Sequence, residues 1–339
     1  MDTTYTPLTA LRGRVGCVIP IWFAPDLEAT AAARLLRSTI AGSDVCLDPG
    51  DVLLVVDGSA VGENAARRLS EESGCRLRVL PDNRGKGGAL AAGFEQLLAE
   101  SPGLDWIAVR DADGDHLIED LSHLYRACEQ ATAACPARPV LGIGRRSRVD
   151  APLGWVRAEC EWLLNEITIE AVSHALARTD RVWDTRFLVE RVPDIQSGYK
   201  LYNRDAAARA RHALTNAAAA HPDLPMLRIG MELAPFVRVV LDGGVIVEAE
   251  RRAFFDQPVS SYTRERFAYF YGDKLAWVLR ECGTSPENAL LLFDGALGRR
   301  PLYTDGGGRA LLLELRTRVL AQLHSAHLAA VTPVTRAFV

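Results

Sequence analysis

Neither sign of charge dominates the 339 residues: 39 Lys and Arg stand against 43 Asp and Glu, a formal net charge of −4. A dedicated nucleic-acid binder would carry a strong basic excess, so no nucleic-acid partner is expected. No apolar run approaches the roughly 18 residues that a membrane-spanning helix needs. The longest, such as Val52 to Val56 and Ala289 to Phe293, have the size of core elements. The first residues lack the basic-then-apolar pattern of a secretory leader. The seven cysteines are scattered and never in CxxC spacing. That argues against a disulfide framework or a zinc site and fits a reducing compartment. There is no internal repeat and no low-complexity tract beyond short alanine runs. What is present is a globular composition, 48% hydrophobic and 24% charged, in a length that suits about two domains. The expectation is a cytoplasmic protein without a transmembrane segment.

Over the first 150 residues short β-rich runs alternate with helical patterns. Gly16 to Trp22, Asp51 to Asp57, Arg76 to Leu80, Asp105 to Asp111 and Pro139 to Gly144 read as strands. Between them lie helices, one of which carries Leu90, Phe94, Leu97 and Leu98 at helical spacing. This order predicts a mostly parallel sheet covered by helices on both faces, with ligands at the carboxyl ends of the strands. Asp57 and Asp111 end two of those strands. Further on, residues 153–179 read as a helix, 197–202 as a strand, 205–219 and 231–241 as helices, and 245–249 as a strand. Past residue 250 only helical patterns remain, at 264–281 and 309–328.

Asp111-Ala-Asp113-Gly114 can present two carboxylates to one Mg²⁺ or Mn²⁺, cations that prefer oxygen ligands and share them with phosphates. An acidic turn in solvent has the same sequence; the preceding apolar strand favours the ligand site. Asn83-Arg-Gly-Lys-Gly-Gly-Ala-Leu90 is a glycine-rich turn opening a helix. Its amides and Lys86 suit phosphate oxygens; close packing of the helix start accounts for the glycines equally well. The chain has neither GxxxxGK[ST] nor GxGxxG, so a Walker loop and the dinucleotide fingerprint are both excluded. Asp57 could accept an N–H from a uracil or guanine edge, or cap the next turn.

Taken in order, these segments resemble the family 2 glycosyltransferases, including polyprenyl-phosphate sugar synthases. The resemblance rests on Val18-Ile-Pro20, Val55-Val-Asp57-Gly-Ser59, Asn83-Arg-Gly-Lys-Gly-Gly-Ala-Leu-Ala-Ala-Gly-Phe94 and Asp111-Ala-Asp-Gly-Asp-His-Leu-Ile-Glu-Asp-Leu121. Looser likenesses follow at Asp194 to Arg204 and from Gly230-Met-Glu232 to Glu248. The resemblance implies an α/β GT-A fold, a Rossmann-like mixed sheet flanked by helices, over residues 1–250. A helical C-terminal extension would fill 251–339. There are departures: one Asp where the family often has two, Trp22-Phe-Ala-Pro25 after the first strand, Asp115 in place of Gln, and Met231 before Glu232.

The resemblance also implies roles. Pro20 and Trp22 would line the base, with Asp57 reading its edge. Lys86, Gly87 and the loop amides would lie near the ribose and diphosphate. Asp111 would bind ribose hydroxyls or, with Asp113, a divalent Mg²⁺ or Mn²⁺. Glu232 would be the general base, with Asp194 in reserve, and Arg146 and Arg204 would contact substrate. The expected activity is inverting transfer of a sugar, as by a hexosyltransferase. The donor would be a UDP- or GDP-sugar, and the acceptor a small molecule or a lipid phosphate. Two alternatives come from other classes: a sugar-1-phosphate nucleotidyltransferase, disfavoured by the lack of glycine in Pro20 to Pro25, and a non-catalytic nucleotide-sugar-binding protein. Arg145, Arg146 and Arg148 suit a phosphate or a solvated loop. His116 and His123 read as helix-start and packing residues, and His324 and His327 as surface residues of the last helix. Leu311, Leu315, Val319 and Leu323 form a stripe there, for packing within the domain, for a homodimer seam or for membrane-surface contact.

Overall fold

The computed structural model describes residues 8–149, 154–252 and 266–333. The chain forms two compact units, both discontinuous in sequence: Met1–Ser147 with Asp184–Phe254, and Arg148–Trp183 with Phe255–Val339.

The first unit holds one seven-stranded sheet. Its strands are β1 (Val15–Ile21), β2 (Val52–Asp57), β3 (Arg76–Leu80), β4 (Trp106–Val109), β5 (Val140–Arg146), β6 (Lys200–Asn203) and β7 (Val245–Arg251). The spatial order is β3-β2-β1-β4-β6-β5-β7. β1 pairs in parallel with β2 and β4, whereas β6 runs antiparallel to both β4 and β5. The sheet is therefore mixed. Every residue of β1, β2 and β4 is buried, as continuous apolar strands covered on both faces require. Complete burial of one such Leu or Val contributes about 1.5–3 kcal/mol.

The longer helices, numbered along the chain, are α1 (Ala29–Ile40), α2 (Ala60–Ser73), α3 (Lys86–Glu100), α4 (Asp120–Ala134), α5 (Trp155–Ala177), α6 (Arg204–Ala220) and α7 (Leu233–Leu241). All but α5 belong to the sheet unit. Local chemistry sets their ends. Ser59 accepts the Gly62 amide at the start of α2, and Asn203 accepts the Ala206 amide at the start of α6. Gly93 lets α3 lie close on β1, because a Cβ there would stand 2.4 Å from Val18 Cγ1. α7 starts two residues later than its apolar pattern suggests, which puts Pro235 in the first turn, where no amide is needed.

The second unit consists of α5 with α8 (Phe267–Glu281), α9 (Pro286–Leu297) and α10 (Gly306–Gln322). Arg316 is buried against Asp294, at 2.7 Å, and also donates to the carbonyls of Ala329 and Val331. Arg318 pairs with the buried Asp273 at 2.8 Å. The expected boundary at residue 250 is corrected here: α5 packs with α8 and α9, so residues 148–183 group with the C-terminal helices. Residues 153 and 264, where two of the expected helices began, lie outside the described residues. Leu311, Leu315 and Val319 are buried where α10 packs with α8, so this stripe is filled within its own unit. His324 has φ of 57° and follows the end of α10, so His324 and His327 do not share a helix as expected. All seven cysteines are free and buried. No helix among the described residues is long and apolar enough to cross a membrane.

Candidate active site

In a sheet of this kind the ligand edge lies beyond the carboxyl ends of the parallel strands. Asp57 closes β2 and Asp111 follows β4 by two residues, so both lie on that edge. Because β6 is antiparallel to β4, Val109 stands opposite Lys200 and Trp106 opposite Asn203. The start of β6, with Gly198 just before it, therefore shares the edge with Asp111. Its end, with Arg204 beyond, lies on the far one.

Lys86, the first residue of α3, stands at the centre. Its Nζ is 2.7 Å from Asp111 Oδ1 and 3.1 Å from Glu232 Oε1, although Glu232 comes 146 positions later in the chain. Burial alone would weaken the proton affinity of this ammonium. The two carboxylates outweigh burial and hold it above the ordinary lysine value. Glu232 immediately precedes α7 and is 7% exposed. Gly198 gives Asp111 its room, since a Cβ there would lie 2.4 Å from Asp111 Oδ2.

Asp113 accepts the Asp115 amide through Oδ1 at 3.0 Å. Burial, and next the charge of Asp111, push its carboxyl up to about 6. Lys86 thus offsets only part of the negative charge gathered here, and two hard oxygen donors in such a field fit a divalent cation. Among the described residues no three His, Cys, Asp or Glu side chains converge as a closed metal site. A cation held by Asp111 and Asp113 would complete its shell from phosphate oxygens and water.

The glycine-rich turn is fastened from both sides. Asp57 Oδ1 accepts the Arg84 amide at 2.7 Å, and Asn83 Oδ1 accepts the Gly85 amide at 3.1 Å. Gly85 has φ of +86°, and a Cβ there would meet Leu227 O at 2.6 Å; at Gly87 the same oxygen would be 2.8 Å away. Close approach to the backbone at Leu227 gives both glycines a packing reason. Asp57, 2% exposed, spends its carboxylate on the turn.

Other expected site residues are placed differently. Arg146 and Asp194 form a buried pair, with Arg146 Nε 2.8 Å from Asp194 Oδ2 and Nη2 2.5 Å from Oδ1. Arg145 pairs with Glu190 at 2.7 Å and Glu248 at 3.4 Å. Arg204 donates to the carbonyls of Leu98, Ser101 and Leu104 at the far edge, where it holds the end of α3 and lies away from Lys86 and Asp111. Antiparallel β6 is the reason: a motif that starts at the ligand edge ends away from it. Pro20 is buried inside β1, whereas Trp22 just past the strand is 47% exposed.

The structure also brings in residues that the sequence did not single out for a role. His116 is buried; its Nδ1 accepts the Asp111 amide at 3.0 Å, and its ring stacks on Tyr199 at 4.9 Å and 8°. Arg251 reaches Asp115, Oδ2 at 3.2 Å, and the Tyr199 hydroxyl donates to Leu117 O at 3.0 Å. Lys200 is buried at the start of β6 and donates to Ile195 O at 2.9 Å; burial lowers its pKa to about 8 despite Glu232 and Asp194 nearby. The sequence signals for Lys200 were a charged residue inside the expected strand 197–202 and its place in the looser likeness at Asp194 to Arg204.

Acidic strand ends meet a lysine-bearing helix start on a mixed α/β sheet with one reversed inner strand, an arrangement in keeping with the GT-A class of nucleotide-sugar folds. The chain belongs to glycosyl transferase family 2, which it matches over residues 19–208, more than half its length. Its function is accordingly that of a transferase using nucleotide sugars. Among curated proteins no sequence matches it. Solved structures similar to it include a 4-diphosphocytidyl-2C-methyl-D-erythritol synthase from Anaerococcus prevotii, at 10% identity and a TM-score of 0.38, covering 76% of this chain and 95% of that one. A cytidylyltransferase from Leptospira borgpetersenii aligns at 9% identity and a TM-score of 0.34, covering 81% and 96%.

Proposed function

We propose that this chain is an inverting, metal-assisted glycosyltransferase that moves a hexose from a UDP- or GDP-sugar to an acceptor hydroxyl or phosphate. The observation that carries the reading is the single ammonium of Lys86 held between Asp111 and Glu232. A point charge so placed is positioned to turn to the donor's diphosphate, which leaves Glu232 to act on the acceptor. Asp113, with Asp111, would hold Mg²⁺ or Mn²⁺, and such a cation supplies positive charge to a leaving diphosphate. With a hydroxyl acceptor, Glu232 takes the proton as the acceptor oxygen attacks the anomeric carbon. The bond from that carbon to the diphosphate breaks, and the configuration inverts. A phosphate acceptor is already ionised and needs no base. Trp22 offers an exposed ring for stacking on the base. Asp57 acts through the turn that carries Lys86.

Glu232→Gln should lower kcat for a hydroxyl acceptor about 10²–10⁴-fold while nucleotide binding persists. Asp113→Ala should remove the metal dependence of donor binding. A thermal-shift panel of UDP-, GDP-, dTDP- and ADP-sugars with and without Mn²⁺ identifies the donor, since a ligand at about 100 times its Kd adds roughly 2.7 kcal/mol. Near-normal, metal-dependent transfer by both variants would sink the assignment.

A further inference from the structure

The Asp111 to Leu117 loop has four fastenings besides Lys86, and one of them bears directly on the carboxylate at the centre. Arg110, 1% exposed, donates to the carbonyl of His116 and to Ser43 Oγ. Arg251 holds Asp115 by side chain and carbonyl, and Tyr199 holds Leu117 O. These three secure the far part of the loop. His116 alone reaches back to the first residue: its Nδ1 lies 3.0 Å from the amide nitrogen of Asp111.

We propose that His116 is a positioning residue, whose Nδ1 accepts the Asp111 amide and so aims the Asp111 carboxylate at Lys86, the cation placed for the donor's diphosphate. The proposal rests on the transferase reading above. Three features set His116 apart from a packing residue. First, a packing role needs only the ring on Tyr199, yet the ring is turned so that a nitrogen meets an amide that β4 does not pair. Second, the amide served belongs to the residue whose side chain meets Lys86 at 2.7 Å and fills the space left by Gly198. Fixing that amide fixes the direction of the carboxylate. Third, an accepting Nδ1 requires the proton on Nε2 and no second proton.

Two substitutions separate the nitrogen from the ring. His116→Phe keeps the stack on Tyr199 and removes the acceptor. His116→Asn removes the ring and keeps an oxygen close to where Nδ1 stood. Affinity for the nucleoside diphosphate with Mn²⁺, measured by calorimetry on the full chain, is the first readout, and kcat and KM for the donor are the second. His116→Phe should weaken nucleotide binding about 10-fold or more, the effect of a buried amide losing its partner. His116→Asn should stay within a few-fold of the parent. Nitrogen NMR of the unaltered protein should show His116 protonated on Nε2 only. That measurement stands even where a variant fails to fold. Wild-type affinity in His116→Phe, equal loss in both folded variants, or a proton on Nδ1 would each overturn the proposal. If the unaltered protein binds no nucleoside diphosphate at all, the transferase reading falls with it; if it binds and His116→Phe binds equally, only the role of His116 falls.

Discussion

Asp194 and Glu232 are both buried carboxylates, 5% and 7% exposed, and the sequence offered both as bases. Their surroundings separate them. Asp194 accepts two side-chain hydrogen bonds and the backbone N–H of Arg146. Burial alone would raise its pKa; Arg146 overrides that and holds it below the ordinary carboxylate value. A carboxylate so held binds a transferred proton weakly. Its contribution is to stability: breaking a buried pair costs about 3–5 kcal/mol. Asp194→Asn should lose that much in urea denaturation at neutral pH. The sign of the pH dependence follows from the depressed pKa. The stabilisation is fully present above the unfolded value near pH 4 and fades as pH falls through the lower folded value. The gap between parent and variant should therefore be constant from about pH 7 to 5 and narrow below about pH 4. A gap that widens on acidification would show that Asp194 is not the ionised partner assumed here.

At the scale of elements, the turn that opens α3 joins three parts of the chain: β2 through Asp57, Asn83 through its own side chain, and the Leu227 backbone through two glycines. Gly85, with φ of 86° and ψ of 159°, lies in a region that only glycine occupies without strain. Gly85→Ala meets both that strain and Leu227 O, and each costs about 1–3 kcal/mol. Gly87→Ala meets the same oxygen with ordinary helical backbone. Urea midpoints should therefore rank parent, then Gly87→Ala, then Gly85→Ala; equal or reversed midpoints for the two variants would show that the positive φ of Gly85 adds no cost. The elements and the acidic edge were legible in the sequence because apolar strands and Asp-rich strand ends are local signals. The partner of Lys86 was legible only as two separate candidates, since Glu232 comes 146 positions later and no local pattern joins them. Arg204 was misplaced because strand direction is a tertiary property: a motif gives the order of its residues, not which edge its last one reaches. His116 was read as packing because nothing in a sequence reports which way an imidazole nitrogen faces.

At the scale of the molecule, the composition suited two domains, but the division expected at residue 250 splits a helical unit whose first part, residues 148–183, lies between β5 and β6. The strand signals cease near 250, so a reading by pattern places the boundary there. Packing places α5 differently. Its Leu163, Leu164, Ile167, Val172 and Leu176 are at most 2% exposed, and its packing partners include α8 and α9. A chain ended after residue 252 would keep α5 and lose those partners. Each large apolar side chain returned to water forfeits about 1.5–3 kcal/mol, and a continuous apolar helix surface favours self-association. The shortened chain should therefore elute as aggregates and bind a hydrophobic dye, although it retains every residue of the sheet and of the Lys86, Asp111 and Glu232 site. Light scattering after size exclusion checks this directly. A monomeric product that unfolds cooperatively and still binds nucleotide would mean that α5 is stabilised without the C-terminal helices, and that the sheet unit is independent after all.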